Sequence, residues 1–405
     1  MKKIKILVVT SSFPRSKADW WGQFILKIYE HLPKDRFAIT ILAPHSPGAK
    51  LKENFEDINI FRFPYFYPFS QEILTTGSGI LHSKGNILAK IQVSTFLLSE
   101  FVYVIFILLT KKFDIVHSHW ILPQGFFGVI AKYIFKIPLI VTIHGSDIFA
   151  LKKLNLIKSF VLRKSTIVTA NSTATQREAY AVSSNSNPLL IPEGVDLNVF
   201  NSKKRDLQWR KKMNNNDQII IAVGRLIKWK GFDYLIKAMP KILKKFPKVK
   251  LVIVGSGPEE MNLKKIVEFL GLDKNVVFLK NVSHDKLSVM YASSDIFVSP
   301  SITNEASGEK EALGIVIIEA IASGIPVVAS NSGGIRDTVD GKSTGFLAKE
   351  KDPDDIAQKT TDLLSNLKIR REIIKKGLRH VEKRYSWDIL AKKYSDLYEK
   401  CMKLT

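Results

Sequence analysis

The chain has 405 residues, of which 45% are hydrophobic and 24% charged, and it carries a formal net charge of +23. This length predicts two or three domains, and the composition is that of an ordinary globular protein. One cysteine excludes an internal disulfide and a cysteine-based metal site, while the charge fits nucleic acid, anionic lipid or an anionic small substrate as partner.

Short β-type runs alternate with amphipathic stretches in the first half of the chain. The first run, IKILVVT at residues 4–10, follows two lysines, but it is too short for the apolar core of a signal peptide and lacks a small-residue cleavage site. Six further runs begin at residues 37, 58, 114, 139, 166 and 189. Such alternation predicts a parallel sheet with helices on both faces.

A polar, Asn-rich stretch at residues 201–218 predicts a domain junction, after which β-type runs restart at residues 219, 249, 276, 295 and 324. We therefore predict an α/β chain with two doubly wound, Rossmann-like domains. Their bounds are 1–200 and 218–384, with a linker at 201–217 and a C-terminal helix at 385–405 that packs back on the first domain in one interpretation. Sheets of this kind bind ligands at the carboxyl ends of their strands, in a central cleft if the two edges face each other.

Polar residues and a glycine follow strands of the first half. His144 and Asp147 come after the run at 139–143, where a histidine is either structural or a polar residue of the binding cleft. His117 and His119 share one face of a strand, as metal ligands would, but a third ligand is not evident and we predict no metal site. Gly22 opens a helix, whose N-terminal amides favour an anion.

Two cations follow the first strand of the second half. Arg225 offers a planar fork and Lys230 a point charge, which suits a diphosphate, although solvated surface cations are the alternative. Gly255 lies in a GSG turn that lacks the third glycine of a dinucleotide fingerprint, so it marks either a tight turn or a binding loop. Gly333 and Gly334 either present backbone amides or make a tight turn.

The stretch EKEALGIVIIEA, residues 309–320, holds Glu311 and Glu319 eight positions apart. Between them, Gly314, Ile315 and Val316 predict a helix start whose bare amides suit a phosphate. A carboxylate that accepts two hydroxyl hydrogen bonds is a standard way to hold a sugar. The stretch therefore predicts a nucleotide-sugar site, unless the two acids have no common role.

These motifs resemble those of the retaining glycosyltransferases of family 4, which have the GT-B fold. GRLIKWKG, EALGIVIIE, EAIASGIPVVASNSGGI and GKSTGFL occur in that family's order, and SSFPR, WGQF, DIVHSHW, TIHGSD and IPEGVD match more loosely. The resemblance covers nearly the whole chain. It implies transfer of a sugar from a UDP-, GDP- or ADP-sugar to a carbohydrate or lipid-linked acceptor, with retention and without a metal or other cofactor.

The resemblance also implies roles for the donor-binding residues. Arg225 and Lys230 would hold the diphosphate and stabilise the charge on the leaving nucleoside diphosphate. The amides of Ile315 and Val316, which follow Gly314 at the helix start, would bind the same phosphates. Gly255 and its loop would also contribute to donor binding. Glu319 would bind the ribose hydroxyls.

Three further residues complete the predicted site. Glu311 and His144 would contact the transferred sugar, the second of them from the other domain, and Gly22 would leave room for phosphate or acceptor. Three features depart from the family pattern: a longer and more acidic segment before Glu311, Glu193 in place of the usual asparagine, and Lys280 where glycine is common.

The apolar segment FVYVIFILLT, residues 101–110, is shorter than a membrane span and predicts a core helix or an interfacial one. Together with the basic charge and the aromatic run at 63–69, it favours a cytoplasmic enzyme bound peripherally to the inner face of the cell membrane, in polysaccharide or glycolipid biosynthesis. Two alternatives stay open. One is a sugar-nucleotide epimerase of the same fold, and the other is a basic polyanion-binding protein, although no zinc-finger spacing or RNP-type motif supports nucleic acid.

Overall fold

The computed structural model describes residues 2–16, 19, 22–75, 87–215 and 217–404. It divides into two compact units, Met1–Pro192 with Leu390–Thr405, and Glu193–Ile389. Each unit is built on one sheet with predominantly parallel strands, flanked by helices, which confirms the two Rossmann-like domains predicted from the alternating pattern.

The first unit contains an eight-stranded sheet in the order β3-β4-β2-β1-β5-β6-β7-β8. Strand β3 pairs antiparallel with β4, and the other neighbours pair parallel. The strands are β1 Ile4–Val9, β2 Phe37–Pro44, β3 Lys52–Phe55, β4 Ile58–Phe63, β5 Ile115–His119, β6 Leu139–Ile143, β7 Ile167–Ala170 and β8 Leu189–Leu190. The helices are α1 Gln23–Glu30, α2 Ile87–Thr110, α3 Phe126–Phe135, α4 Ser146–Phe149, α5 Asn155–Lys164 and α6 Thr173–Val182.

The second unit contains a six-stranded parallel sheet in the order β11-β10-β9-β12-β13-β14. Alternate residues of its strands enter two buried clusters, one on each face, which is why the strands read as continuous apolar runs. The strands are β9 Ile219–Val223, β10 Lys250–Val254, β11 Val276–Leu279, β12 Ile296–Ser299, β13 Val327–Ser330 and β14 Phe346–Ala348. The helices are α7 Leu207–Asn214, α8 Phe232–Lys245, α9 Glu260–Phe269, α10 His284–Ser293, α11 Ile315–Ala322, α12 Pro353–Ser365 and α13 Leu367–Tyr385, and the last helix, α14 Trp387–Lys403, begins in this unit.

The segment expected as a linker, residues 201–217, lies inside the second unit, and the units divide instead after Pro192. Apart from residue 216, which is outside the described residues, the segment includes helix α7. The Asp206 carboxylate caps this helix by accepting hydrogen bonds from the amides of Gln208 and Trp209, and Arg210 pairs with Asp295 at 2.9 Å. Its polar composition thus belongs to an exposed helix with one anchored arginine.

Helix α14 begins in the second unit and continues into the first, since Leu390–Thr405 belongs to the first unit. The ring of Tyr398 lies 5.6 Å from that of Phe37 in a tilted arrangement, and its hydroxyl lies 2.8 Å from Nδ1 of His117. The end of the chain therefore packs on the first domain, as one interpretation of the sequence expected.

The apolar segment at 101–110 is the second half of α2, which has 24 residues. The segment 101–110 alone is shorter than a membrane span, as predicted, but the helix that contains it is not: α2 is long and apolar enough to cross a membrane by length and composition. One face of α2 is nevertheless packed: Phe96 lies against the rings of Phe63 and Tyr65, with centroids 5.1 and 5.3 Å apart. The opposite face carries exposed apolar side chains.

Candidate functional site

Two loops meet at the carboxyl edge of the second sheet, one after β9 and one after β12. The amide of Ile302 donates a hydrogen bond of 2.8 Å to the carbonyl oxygen of Trp229. Gly231 has φ +66°, and a Cβ added there would lie 2.1 Å from the carbonyl oxygen of Pro300. Only glycine allows this approach, which places Lys230 beside the residues that follow β12.

The carboxylate of Glu311 is the centre of this cluster. Its Oε2 accepts hydrogen bonds from Lys230 Nζ at 2.5 Å and from Ser301 Oγ at 3.2 Å. Burial lowers the pKa of the Arg225 guanidinium, and the nearby carboxylates of Glu309 and Glu311 oppose that shift. The structure thus pairs Lys230 directly with Glu311 and brings Arg225 within electrostatic range of the same acid.

The backbone of Glu311 is held by a glycine pair 22 residues later. The amide of Gly334 donates to the carbonyl oxygen of Glu311 at 2.9 Å. Gly333 has φ +52°, and a Cβ added there would lie 2.0 Å from that same oxygen. The sequence left two interpretations open for this pair, and the structure shows one amide used to fix Glu311.

Helix α11 starts against the side chain of Glu311. Its N-cap Gly314 has φ +82°, and a Cβ there would lie 2.8 Å from Ile317 Cδ1 and 3.6 Å from Glu311 Cγ. The amides of Ile315 and Val316 belong to the first turn and have no intrahelical acceptor. The carboxylate of Glu311, the ammonium group of Lys230 and the N-terminus of α11 are therefore neighbours, and their role in binding a nucleotide-sugar stays a prediction.

Glu319 lies on the buried side of α11 and is 7% exposed. Tyr291 donates its hydroxyl to Glu319 Oε2 at 3.2 Å, and burial raises the pKa of the Glu319 carboxyl to about 8. The acid therefore holds a proton through most of the neutral range. Neither Tyr291 nor Ser301 was identified from the sequence, where each is a single polar residue in an otherwise ordinary element.

Gly255 is explained by a close approach of two backbones. A Cβ at this position would lie 1.9 Å from the carbonyl oxygen of Gly224, and the amide of Gly255 donates to the carbonyl oxygen of Leu279 at 2.8 Å. This close approach of the two backbones is sufficient to explain why residue 255 is a glycine, as in the tight-turn interpretation. Its contribution to donor binding stays a prediction.

The two predicted residues of the first unit are both fixed by packing. The ring of His144 lies 5.1 Å from that of His119 and 4.8 Å from that of Trp120. Gly22 caps α1 with φ +71°, and a Cβ there would meet the backbone of Phe13 at 2.8 Å. Asp147 accepts backbone hydrogen bonds, including one from the amide of His144 at 3.2 Å, so its role is structural.

Among the described residues, no group of three or more His, Cys, Asp and Glu side chains is placed to hold a metal ion. The two histidines on β5 are hydrogen-bonded to a tyrosine: Tyr29 Oη lies 2.9 Å from His117 Nδ1 and 2.7 Å from His119 Nε2.

Two family models match the chain. One, described as glycosyl transferases group 1, covers residues 203–380, and the other, described as glycosyltransferase family 4, covers residues 22–199. The chain is 31% identical over 317 residues to an uncharacterized glycosyltransferase of Methanocaldococcus jannaschii, covering 74% of this chain and 78% of that one. It is 33% identical over 209 residues to a GDP-mannose-dependent alpha-(1-6)-phosphatidylinositol monomannoside mannosyltransferase of Mycobacterium tuberculosis, covering 51% and 54% of the two chains.

Two solved structures have the same fold at low identity. A sucrose-phosphate synthase of Thermosynechococcus elongatus aligns over 100% of both chains with a TM-score of 0.80 and 20% identity. The HepE protein of Anabaena, in complex with UDP and glucose, aligns over 98% of this chain and 100% of that one with a TM-score of 0.73 and 19% identity.

Proposed function

The chain belongs to the family 4 glycosyltransferases, also described as glycosyl transferases group 1, and has the GT-B fold. We propose that it transfers a sugar from a nucleoside-diphosphate-sugar to an acceptor hydroxyl with retention of the anomeric configuration. The observation that supports it best is the junction of Arg225, Lys230 and Glu311 at the start of α11. A nucleotide-sugar requires a group of anion-binding residues for its phosphates beside a carboxylate that can bind its sugar hydroxyls.

The diphosphate binds Arg225, Lys230 and the first amides of α11. These groups stabilise the charge that grows on the leaving nucleoside diphosphate, and they are in place before the reaction. In the free protein Lys230 is paired with Glu311. A diphosphate that takes over Lys230 leaves the Glu311 carboxylate to accept hydrogen bonds from hydroxyls of the transferred sugar.

The remaining residues take the roles that the family resemblance implies. Glu319 binds the ribose hydroxyls, and Tyr291 holds its carboxyl group in place through the hydrogen bond to Oε2. His144 of the first unit contacts the transferred sugar. Gly22 leaves space for phosphate or acceptor, and the Gly255 turn supports the donor loop.

The proposed reaction uses neither a metal nor an enzymatic nucleophile. Arg225 and Lys230 supply the positive charge that a metal ion would otherwise bring to the leaving group. The donor phosphate helps to remove the acceptor proton, and the new bond forms on the face from which the nucleotide leaves. Activity is therefore expected to survive EDTA, and loss in EDTA that added metal restores would contradict this part of the proposal.

The function is tested in two steps. A thermal-shift panel of UDP-, GDP- and ADP-sugars identifies the donor, because a ligand of the native state raises the melting temperature. NMR of the product made with that donor should then show a glycoside with the anomeric configuration of the donor, and Glu311→Ala should lose most turnover while keeping its fold. An inverted glycoside would refute retention, and an epimerised donor without a glycoside would favour the epimerase.

We also propose that the enzyme works on a lipid-linked acceptor, in polysaccharide or glycolipid synthesis, at the anionic cytoplasmic face of the cell membrane. Helices α2 and α3 share an apolar surface, joined where the rings of Phe101 and Phe127 lie 5.5 Å apart. Its outer side chains are each more than half exposed, namely Ile87, Leu98, Phe106, Leu109, Tyr133 and Ile134.

The rim of this α2–α3 surface is basic. Lys111 and Lys112 directly follow α2, Lys136 directly follows α3, and all three are exposed. An anionic bilayer attracts each such lysine near its surface by about 1 kcal/mol. An apolar surface that is edged with cations fits an anionic lipid surface better than it fits a second copy of a chain that carries +23.

Flotation with vesicles tests the α2–α3 surface. The protein should float with phosphatidylglycerol vesicles and less with phosphatidylcholine vesicles, and Leu98→Glu with Phe106→Glu should abolish flotation. Phe269→Glu is the matched control, since Phe269 is an apolar residue 87% exposed on the second unit. Flotation retained by the double variant, or a dimer in light scattering that the double variant disrupts, would contradict a membrane partner.

A further inference from the structure

A buried chain of hydrogen bonds links His144 to the C-terminal helix within the first unit. His144 Nε2 lies 2.9 Å from His119 Nδ1, and His119 Nε2 lies 2.7 Å from Tyr29 Oη. Tyr29 Oη also lies 2.9 Å from His117 Nδ1, which in turn lies 2.8 Å from Tyr398 Oη. Helix α1, strand β5 and helix α14 thus each contribute a member of this histidine–tyrosine relay.

The far end of the relay is anchored in the sheet. His117 Nε2 lies 2.7 Å from Thr142 Oγ1, and Thr142 Oγ1 lies 2.7 Å from Thr169 Oγ1. The ring centroids of His117 and His119 are 4.4 Å apart in a stacked arrangement. The relay therefore has defined positions from β7 to His144, and none of its inner groups is exposed to solvent.

The two inner histidines are neutral. Burial lowers the pKa of His117 to about 3 and that of His119 well below its usual value. A neutral imidazole has one N–H donor and one acceptor nitrogen, so a proton on one nitrogen of His119 fixes the role of the other. In a neutral imidazole of His144, the proton lies on Nδ1 if His119 Nδ1 donates to Nε2, and on Nε2 in the reverse case.

Two tyrosine hydroxyls lie within hydrogen-bond distance of these histidines. Tyr29 has one hydroxyl proton and two imidazole nitrogens within hydrogen-bond distance, so it cannot donate to both. The Tyr398 hydroxyl also lies within hydrogen-bond distance of His117 Nδ1, and it supplies a second proton that can be donated to that nitrogen. That proton permits Tyr29 to donate to His119 instead, and the change passes along the relay to His144.

We propose that His119 is a positioning residue for His144, and that Tyr398, acting through His117 and Tyr29, sets which ring nitrogen of His144 carries the proton. The inference rests on the proposed contact between His144 and the transferred sugar. A sugar hydroxyl needs a donor or an acceptor at a given place, and a histidine in the wrong tautomer offers the opposite. The C-terminal helix is thereby a functional part of the first domain and not only a covering element.

The relay is tested by NMR and kinetics on Tyr398→Phe in the full-length enzyme. With ¹⁵N-labelled histidine, the two ring-nitrogen shifts of His144 report its tautomer, and they should change in the variant. The value of kcat should fall roughly tenfold, the loss of one neutral hydrogen bond, while the KM for the donor stays near that of the wild type. Tyr29→Phe, which removes the shared hydroxyl, should have the same two effects.

Tyr385→Phe is the matched control. Its hydroxyl is also buried, but it donates to the carbonyl oxygen of Asp337 in the second unit at 2.8 Å. This variant should lose stability without changing the ring-nitrogen shifts of His144.

A double variant separates a positioning role from a general structural one. If Tyr398 acts through His144, Tyr398→Phe should cost no further activity in a His144→Ala background. Additive losses, or unchanged ring-nitrogen shifts of His144 in Tyr398→Phe, would overturn the proposal. Full activity of His144→Ala alone would instead refute the sugar contact in the proposed function, and the NMR result would still decide whether the relay sets the tautomer.

Discussion

Donor binding should release a proton from Glu319. Burial raises the pKa of this carboxyl from its usual 4.5 to about 8, so roughly nine-tenths of the free protein carries the proton at pH 7. Two ribose hydroxyls that donate to the carboxylate stabilise the charged form and lower this pKa. If the pKa returns near 4.5 in the complex, about 0.9 proton leaves for each donor bound at pH 7.

The same shift makes affinity depend on pH with a definite sign. Below pH 8 the proton must be removed before the ribose can bind, so the dissociation constant should rise about tenfold for each unit of pH lost. Between pH 8 and pH 6 the loss of affinity is about 50-fold, or roughly 2.3 kcal/mol, because half of the carboxyl is already protonated at pH 8. The intact sugar nucleotide is the ligand of choice, because a terminal phosphate has a second pKa near 6 that would add its own pH dependence.

Calorimetry in two buffers of different ionisation enthalpy measures the released proton directly. The control is Glu319→Gln, which keeps the shape of the side chain but has no proton to release. Its affinity should be nearly independent of pH, and no proton should appear on binding. Wild-type binding without proton release, or an equal pH dependence in Glu319→Gln, would refute the assignment of Glu319 to the ribose.

Two further predictions concern residues outside the donor contacts. Gly333→Ala should lower turnover at least tenfold, because its Cβ would lie 2.0 Å from the carbonyl oxygen of Glu311. Gly341→Ala is the control: this glycine also has a positive φ, but the nearest atom to an added Cβ is 3.5 Å away, so the variant should lose only stability. Equal turnover in the two variants would contradict the prediction. Burial raises the pKa of Glu100 from 4.5 to about 8, so the native state holds a proton that the unfolded state loses, and stability falls as pH rises through this window. Glu100→Gln should remove this pH dependence and raise the free energy of unfolding at pH 7, measured with denaturant, by up to about 3 kcal/mol. If the free energies of unfolding of the two proteins change in parallel from pH 5 to 8, Glu100 is already ionised in the native state.

Strands and motif positions were predictable from the sequence because they depend on local signals. Buried parallel strands such as β1 and β9 are continuous apolar runs, and a glycine at a strand end marks a close approach whatever its partner is. Two short strands, β3 and β14, were not predicted, because their pairing depends on neighbours and their own sequences, KENF and FLA, carry little β signal. The extent of α2 was also not predicted, since only its most apolar half stood out.

The partners within the site were not predictable, because they join residues far apart in the chain. Ser301 and Tyr291 each donate to one of the two predicted acids, yet neither lies in a motif that identifies it. The hold of Gly334 on Glu311 and the distance from Tyr398 to His117 depend on how whole elements pack. Spacing in the sequence located the acids, and only the tertiary structure showed which groups control their charge.

Calorimetry of the donor shows whether Arg225, Lys230 and the start of α11 bind its diphosphate. Arg225→Ala with Lys230→Ala should weaken binding of the sugar nucleotide by about 100-fold or more, since each charge-assisted hydrogen bond contributes roughly 1.5–3 kcal/mol. Lys228→Ala is the matched control, because Lys228 is exposed in the same short 3₁₀ turn and should leave affinity unchanged. Wild-type affinity in the double variant would show that the diphosphate binds elsewhere on the protein.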